Sequence, residues 1–143
     1  MFKRIGHIAI GAKDIEATAA FYCNVLGLKE AFRMYNGEGG KLSTVYLHLA
    51  PGEFIEIFPD GIIEQKYNAS NIGYSHLCIE VDNVTETLEQ LQAKGIPVDK
   101  EITTGVSKCK MFWTHDPDGN RIEFMELTPE SLQAQAIGRL AMS

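Results

Sequence analysis

Positive charge is scarce: 13 Lys and Arg stand against 19 Asp and Glu in 143 residues, a formal net charge of −6, and the cations are spread thinly along the chain. Such a surface gives a polyanion little to grip, so nucleic acid and anionic membranes are not expected partners and a small molecule is. Long apolar runs are missing as well. No segment reaches the ~20 apolar residues of a bilayer-spanning helix. The opening MFKRIG carries two positive charges with no apolar stretch of signal-peptide length behind it, so the expected location is the cytoplasm. Cysteine is sparse: Cys23, Cys78 and Cys109 are odd in number, lack CxxC spacing and sit in apolar strings. That pattern excludes a disulfide framework and reads as buried thiols in a reducing compartment. The 45% of hydrophobic residues suffice for one core, or for two small modules sharing a surface, but not for two independent domains. One domain over residues 1–143 is expected.

What the chain does contain is a repeat. GHIAIGAKDIEATAAFYCNVLGL returns as SHLCIEVDNVTETLEQLQAKGI, and APGEFIEIF returns as DPDGNRIEFMEL. His7 and His76 recur at nearly the same interval as Glu56 and Glu123. Two copies of one unit imply a pseudo-two-fold molecule with equivalent positions.

The local code predicts the same element order in each copy. Residues from about Ile5 to Ile10 read as a strand, after which Asp14 caps a helix carrying Ala17, Ala20, Phe21 and Leu26, and Gly27 ends it. The second copy has a strand from about Tyr74 to Val81, Asn83 as the cap, a stripe of Val84, Leu88 and Leu91, and Gly95 as the stop, with Pro97 just beyond. Three extended segments follow each helix: about Glu30–Asn36, Leu42–Leu49 and Glu53–Phe58, then Val98–Thr103, Cys109–His115 and Arg121–Leu127. Their connections are glycine-rich turns, NGEGG in one copy and DPDGN in the other. The expected class is therefore α+β, with two tandem βαβββ modules at about 4–58 and 74–127 and a linker at 59–73. A short docked helix at 129–141 should follow, with Thr128 as cap, Pro129 in its first turn and a stripe of Leu132, Ala136, Ile137 and Leu140.

Strand parity then groups the polar residues. Alternate side chains point to opposite faces of a sheet. Ile8 and Ile10 oppose His7, Leu77 and Ile79 oppose His76, Ile55 and Ile57 oppose Glu56, and Ile122 and Phe124 oppose Glu123. All four polar residues fall on the face away from the aliphatic rows. A carboxylate among Ile, Phe and Met is costly unless it is paired, hydrogen-bonded or metal-bound. Two such carboxylates with two imidazoles suit a divalent cation, whose charge they neutralise. His48 and His115 are also duplicated, but they adjoin the hairpin turns and read as rim residues.

With GHIAI, FYCNVLGL, FIEIF, YSHLCIEVDN and DPDGNRIEFME, the chain resembles the vicinal oxygen chelate superfamily, and within it the short bacterial glyoxalase I, or lactoylglutathione lyase, type. The resemblance covers about Ile5 to Leu127. It implies an open, cup-shaped eight-stranded sheet around one metal held by His7, Glu56, His76 and Glu123, in a homodimer whose sites lie at the subunit interface. Nickel or cobalt is the implied ion, with zinc as the alternative. The implied reaction is an isomerisation through an enediolate, with Glu123 as the mobile base and Glu56 as companion ligand or second base. Methylglyoxal with glutathione as co-substrate is the implied chemistry.

Several positions depart from that pattern. Gly11 stands where such glyoxalases carry an Arg, Asp60 where they carry an Asn after the first Glu, and KYNASNIGYSH lacks an Arg before His76. Lys108 or Lys110 is left to meet a substrate carboxylate. Two other readings stay open: another isomerase or epimerase of the superfamily on a different α-oxygenated substrate, and a small-molecule binding protein resembling the bleomycin-resistance proteins. Tyr22, Phe54, Phe58, Tyr67, Phe112 and Trp113 could line an apolar pocket under any of them, although aromatics at these spacings are ordinarily core.

Overall fold

The computed structural model describes residues 1–63 and 66–142, so residues 64 and 65 of the expected linker lie outside the described residues. The chain divides into two compact units, Met1–Lys66 with Asp116–Gly119, and Tyr67–His115 with Asn120–Ser143.

The first unit runs β1 (His7–Gly11), α1 (Ile15–Ala20), a π-helical turn (Phe21–Val25), β2 (Lys29–Tyr35), β3 (Leu42–Ala50) and β4 (Glu53–Phe58). Strands β2, β3 and β4 form an antiparallel meander, and β4 returns beside β1 in parallel, giving the order β1-β4-β3-β2. Asp14 starts α1 as expected: its carboxylate accepts from the N–H groups of Glu16 and Ala17, two donors without helical partners. Gly27, at φ 84°, takes the left-handed conformation that lets the chain turn away. One face of the sheet is sealed, with Val45, Leu47, Ile55 and Ile57 fully buried.

The helix buries a different stripe from the one expected. Ala17 and Ala20 are exposed, whereas Ile15, Thr18, Ala19 and Tyr22 face the core. Thr18 can be buried because its hydroxyl donates to Asp118 Oδ2 at 2.6 Å, and Tyr22 because its hydroxyl donates to Asp116 Oδ2 at 3.1 Å. Asp118 also accepts the backbone N–H of Lys13 at 3.0 Å. The carboxylates of the DPDGN segment, expected only to turn a hairpin, are thus the polar partners of α1.

The second unit repeats the plan with β5 (Leu77–Glu80), α2 (Val84–Ala93), β6 (Lys100–Thr104), β7 (Lys110–His115) and β8 (Arg121–Glu126), followed by α3 (Leu132–Leu140). Its sheet order is β5-β8-β7-β6, again with the last strand parallel to the first. Each unit is βαβββ, so the eight strands form two four-stranded sheets in an α+β fold. Asn83 caps α2 by accepting from Thr85 and Glu86, and Val84, Leu88 and Leu91 are its buried stripe, as the spacing predicts. They share a core with Ile122 and the stacked pair Phe112 and Phe124, whose centroids lie 4.9 Å apart.

The last helix corrects two expectations. It begins at Leu132 rather than 129, because Thr128 spends its hydroxyl on the carbonyl of Lys108 and the buried Ser131 takes the cap by accepting from Ala134 N–H at 3.2 Å. Its stripe is not docked either: Leu132, Ile137 and Leu140 are 58%, 58% and 73% exposed. The thiols also depart from the expectation of three buried groups. Only Cys109 is buried; Cys23 is half-buried and Cys78 is exposed, because β5 turns Cys78 away from the aliphatic row. Among the described residues no helix is long and apolar enough to cross a membrane.

The parity of β4 is directly testable. Ile57→Ala should cost about 3 kcal/mol, the usual range for emptying a sealed core site. Phe58→Ala, one residue on and 41% exposed, should cost under about 1.5 kcal/mol despite deleting the larger side chain. Urea unfolding of both variants measures the difference, and an inverted ranking overturns the assigned faces.

Candidate functional site

The parallel pairing of first and last strands determines which polar residues meet. In the first unit Glu56 on β4 is the ladder partner of Ala9 on β1, and His7 lies one two-residue step before Ala9 on the same face. In the second unit Glu123 on β8 is the partner of Cys78 on β5, with His76 one step before it, immediately ahead of the strand. The register is the same in both. Accordingly His7 Nε2 lies 3.3 Å from Glu56 Oε2, and His76 Nε2 lies 3.0 Å from Glu123 Oε2. The carboxylates are largely withdrawn from water, at 8% and 7% residue exposure, while the imidazole side chains keep 48% and 30% of theirs.

The structure thus brings the sequence-predicted residues together as two equivalent His–Glu pairs, one in each unit. Among the described residues, no group of three or more His, Cys, Asp or Glu side chains is assembled that could hold a metal ion. The donor types of each pair nonetheless suit a divalent ion. Two ligands at right angles on one ion, each about 2.1 Å from it, lie about 3 Å apart. Both measured separations are of that size. The donor set is one imidazole nitrogen and one carboxylate oxygen per unit, on a face where an unpaired carboxylate would be expensive.

The surroundings of the two carboxylates differ. Glu56 faces Tyr46 across the β3–β4 ladder, and the Tyr46 hydroxyl donates to Glu56 Oε1 at 2.7 Å. That bond favours the neutral phenol, so the Tyr46 pKa is raised, first by the hydrogen bond to Glu56 and then by desolvation. The Tyr46 ring stacks on Phe32 at 4.4 Å and meets the His7 ring edge-on at 5.9 Å. Glu123 faces Trp113 instead, which has no hydroxyl to give and lies edge-on to His76 at 4.8 Å. The donor beside Glu123 is the Cys78 thiol, a weak one. Desolvation, and then the charge of Glu123, push that thiol up to about 12.

Other candidates are placed as follows. His48 lies at the start of the hairpin turn, across from Phe54 and with its ring centroid 5.9 Å away. His115 holds Asp99 through Nδ1 at 2.8 Å. Asp60 is paired with Lys41 at 2.8 Å. Lys110 stands 3.7 Å from Glu126, and Lys108 occupies a left-handed turn at φ 66°. Sequence reasoning missed Tyr46 and Arg121. Tyr46 was readable by parity, since it shares a face with His48 two residues on. Arg121 stands two residues before Glu123, on the same face of β8, with its guanidinium carbon 3.8 Å from the Tyr67 ring centroid and 4.3 Å from that of Trp113.

Known proteins are similar to this chain in sequence and in fold. The human mitochondrial methylmalonyl-CoA epimerase is 31% identical over 122 residues, covering 80% of this chain and 68% of that protein. The lactoylglutathione lyase of Salmonella typhimurium is 31% identical over 131 residues, covering 86% of this chain and 92% of the lyase. Among solved structures, a glyoxalase family protein from Enterococcus faecalis superposes with a TM-score of 0.75 at 28% identity, covering 87% of this chain and 98% of that one. A family model described as the Glyoxalase/Bleomycin resistance protein/Dioxygenase superfamily matches residues 4–124, nearly the span of both repeats. With the duplicated βαβββ sheets and the motifs that run through them, the chain belongs to this superfamily, the vicinal oxygen chelate superfamily.

Proposed function

We propose that this protein is a metal-dependent lyase or isomerase of the glyoxalase I type, moving a proton between neighbouring carbons of a small α-oxygenated carbonyl compound. The observation that carries the reading is the repeated His–Glu pair, in one register and at 3.3 and 3.0 Å. In the working assembly, proposed to be a homodimer, His7, Glu56, His76 and Glu123 hold one divalent ion, with nickel or cobalt favoured over zinc. Two imidazoles and two carboxylates are donors that would suit such an ion. When bound, it would supply Lewis acidity to oxygens of the substrate as charge develops on them. The proposed location is the cytoplasm and the proposed partner a small molecule.

The residues divide the remaining work unequally. Glu56 is anchored by the Tyr46 hydroxyl, so its role is to hold position. Glu123 has only a thiol and an imidazole beside it, and a carboxylate that must reach two carbons in turn needs that freedom. It takes the proton from one carbon and returns it to the next.

The similarity to lactoylglutathione lyase favours the hemithioacetal of methylglyoxal and glutathione as substrate. The similarity to methylmalonyl-CoA epimerase favours a second reading, in which the same carboxylates act on the carbon beside a thioester carbonyl. Metal analysis of protein purified without chelator, then parallel assays on the hemithioacetal and on methylmalonyl-CoA, tests both. A protein that binds none of nickel, cobalt or zinc ends the metal-dependent proposal.

Two substitutions separate the carboxylates. Glu123→Gln keeps an oxygen ligand but loses the base, so kcat should fall by about 10²–10⁴ while metal content stays within about twofold; full activity in this variant rejects Glu123 as the base. Tyr46→Phe should weaken metal affinity by about tenfold, measured by competition with a chelator, while thermal stability changes by only about 1 kcal/mol. Unchanged metal affinity would show that the hydroxyl has no part in holding Glu56 for the ion.

A further inference from the structure

From the geometry around Arg121 we infer a carboxylate-binding subsite on the Glu123-bearing face of the second sheet, next to the His76–Glu123 pair. The inference rests on the proposed proton-transfer site and specifies its substrate: a small molecule that carries a carboxylate group besides its reacting centre.

Three observations carry it. First, position: Arg121 and Glu123 are alternate residues of β8, so their side chains leave the same face about 6.5–7 Å apart along the strand. Second, posture: the guanidinium carbon lies 3.8 Å from the Tyr67 ring centroid and 4.3 Å from that of Trp113. A guanidinium held against aromatic rings keeps N–H donors for a carboxylate, which it binds by two parallel hydrogen bonds. Third, vacancy of charge: among the described residues no carboxylate pairs with Arg121. Other cations near carboxylates are already engaged, Arg33 by Glu16 and Glu30, Lys41 by Asp60 and Lys110 by Glu126. In a chain of net charge −6, a preorganised guanidinium beside a candidate catalytic carboxylate marks where an anionic group is accepted.

Trp113 links the two parts. Its ring meets both the Arg121 guanidinium and, edge-on, the His76 imidazole, so one indole positions the cation and the imidazole together. Arg121 also supplies the donor that Gly11, Asp60 and the segment before His76 do not.

Trp113 is the only tryptophan in the chain and therefore reports on this place alone. Full-length protein is titrated with S-methylglutathione and with its dimethyl ester, by calorimetry and by Trp113 emission, both as purified with its metal and after removal of metal by chelator. The acid is expected to bind at least tenfold more tightly than the ester, to change the emission, and to keep that preference without metal. In Arg121→Met the ratio should fall to within about twofold, with the circular dichroism melt confirming a folded variant; should the variant not fold, the acid-to-ester ratio and emission of the wild-type protein decide the matter. Equal affinities, no saturable binding of the acid, a preference that vanishes with the metal, or one that survives Arg121→Met would each overturn the subsite. These readouts need no turnover, so an inert enzyme with a strong acid preference refutes the reaction and not the subsite, and an active enzyme without the preference does the reverse.

Discussion

Everything at the candidate site depends on the parallel return of the last strand of each module beside the first. An antiparallel meander alone would keep β4 and β8 next to their sequence neighbours and leave the histidine-bearing end of the module far along the chain. By closing β1 onto β4 and β5 onto β8, the fold sets a residue from the module's start one two-residue step from a residue at its end. Parallel strands need a crossover, and the capped helix of each module provides it. The same pleat that sends Ile55, Ile57, Ile122 and Phe124 into the core sends Glu56 and Glu123 to the opposite side. Core formation and presentation of the carboxylates are consequently one event, and a slip of a single residue would exchange them.

That constraint explains how much could be read from the sequence. Caps, stops and strand alternation are local, so Asp14, Asn83, Gly27 and Gly95 mark the helices, and the element order follows from them. The repeat and its parity place His7, Glu56, His76 and Glu123 on corresponding faces. Features that depend on a distant partner were not legible. Thr18 looks polar and Ala17 apolar, yet Thr18 is buried because Asp118, about a hundred residues away in the chain, accepts a hydrogen bond from its hydroxyl. The start of α3 depended on where Thr128 sent its hydroxyl, and the exposure of Cys78 on which side of β5 faced the core. Arg121 escaped notice for a related reason: a basic residue beside a turn reads as a solvated surface charge until Tyr67 and Trp113 are seen against it.

Nearly buried carboxylates have a cost that the protein distributes in two ways. At Glu56 a phenol and an imidazole satisfy the oxygens. At Glu123 the imidazole remains, but the phenol's ladder position is held by an indole and the alanine's by a thiol. Duplication gives both modules the same backbone register, and side-chain divergence then differentiates them at a few ladder positions. The exchange of Tyr46 for Trp113 removes an oxygen anchor and adds an aromatic surface. That surface packs against the imidazole and the guanidinium together, so one exchange both takes a phenol donor from a carboxylate and sets a cation against the ring beside it.

Such a division suits proton transfer at carbon. A base that must meet two carbons in succession works best with few competing hydrogen bonds, whereas the group that fixes the geometry works best with many. If both modules anchored their carboxylates with a phenol, neither could move without breaking a charge-assisted hydrogen bond, which is about twice as strong as a neutral one. If neither did, two nearly buried acids would depend on imidazole alone. An anchored Glu56 and a looser Glu123 avoid both difficulties. On the proposed reading, the asymmetry between the copies, and not their symmetry, separates holding from reacting.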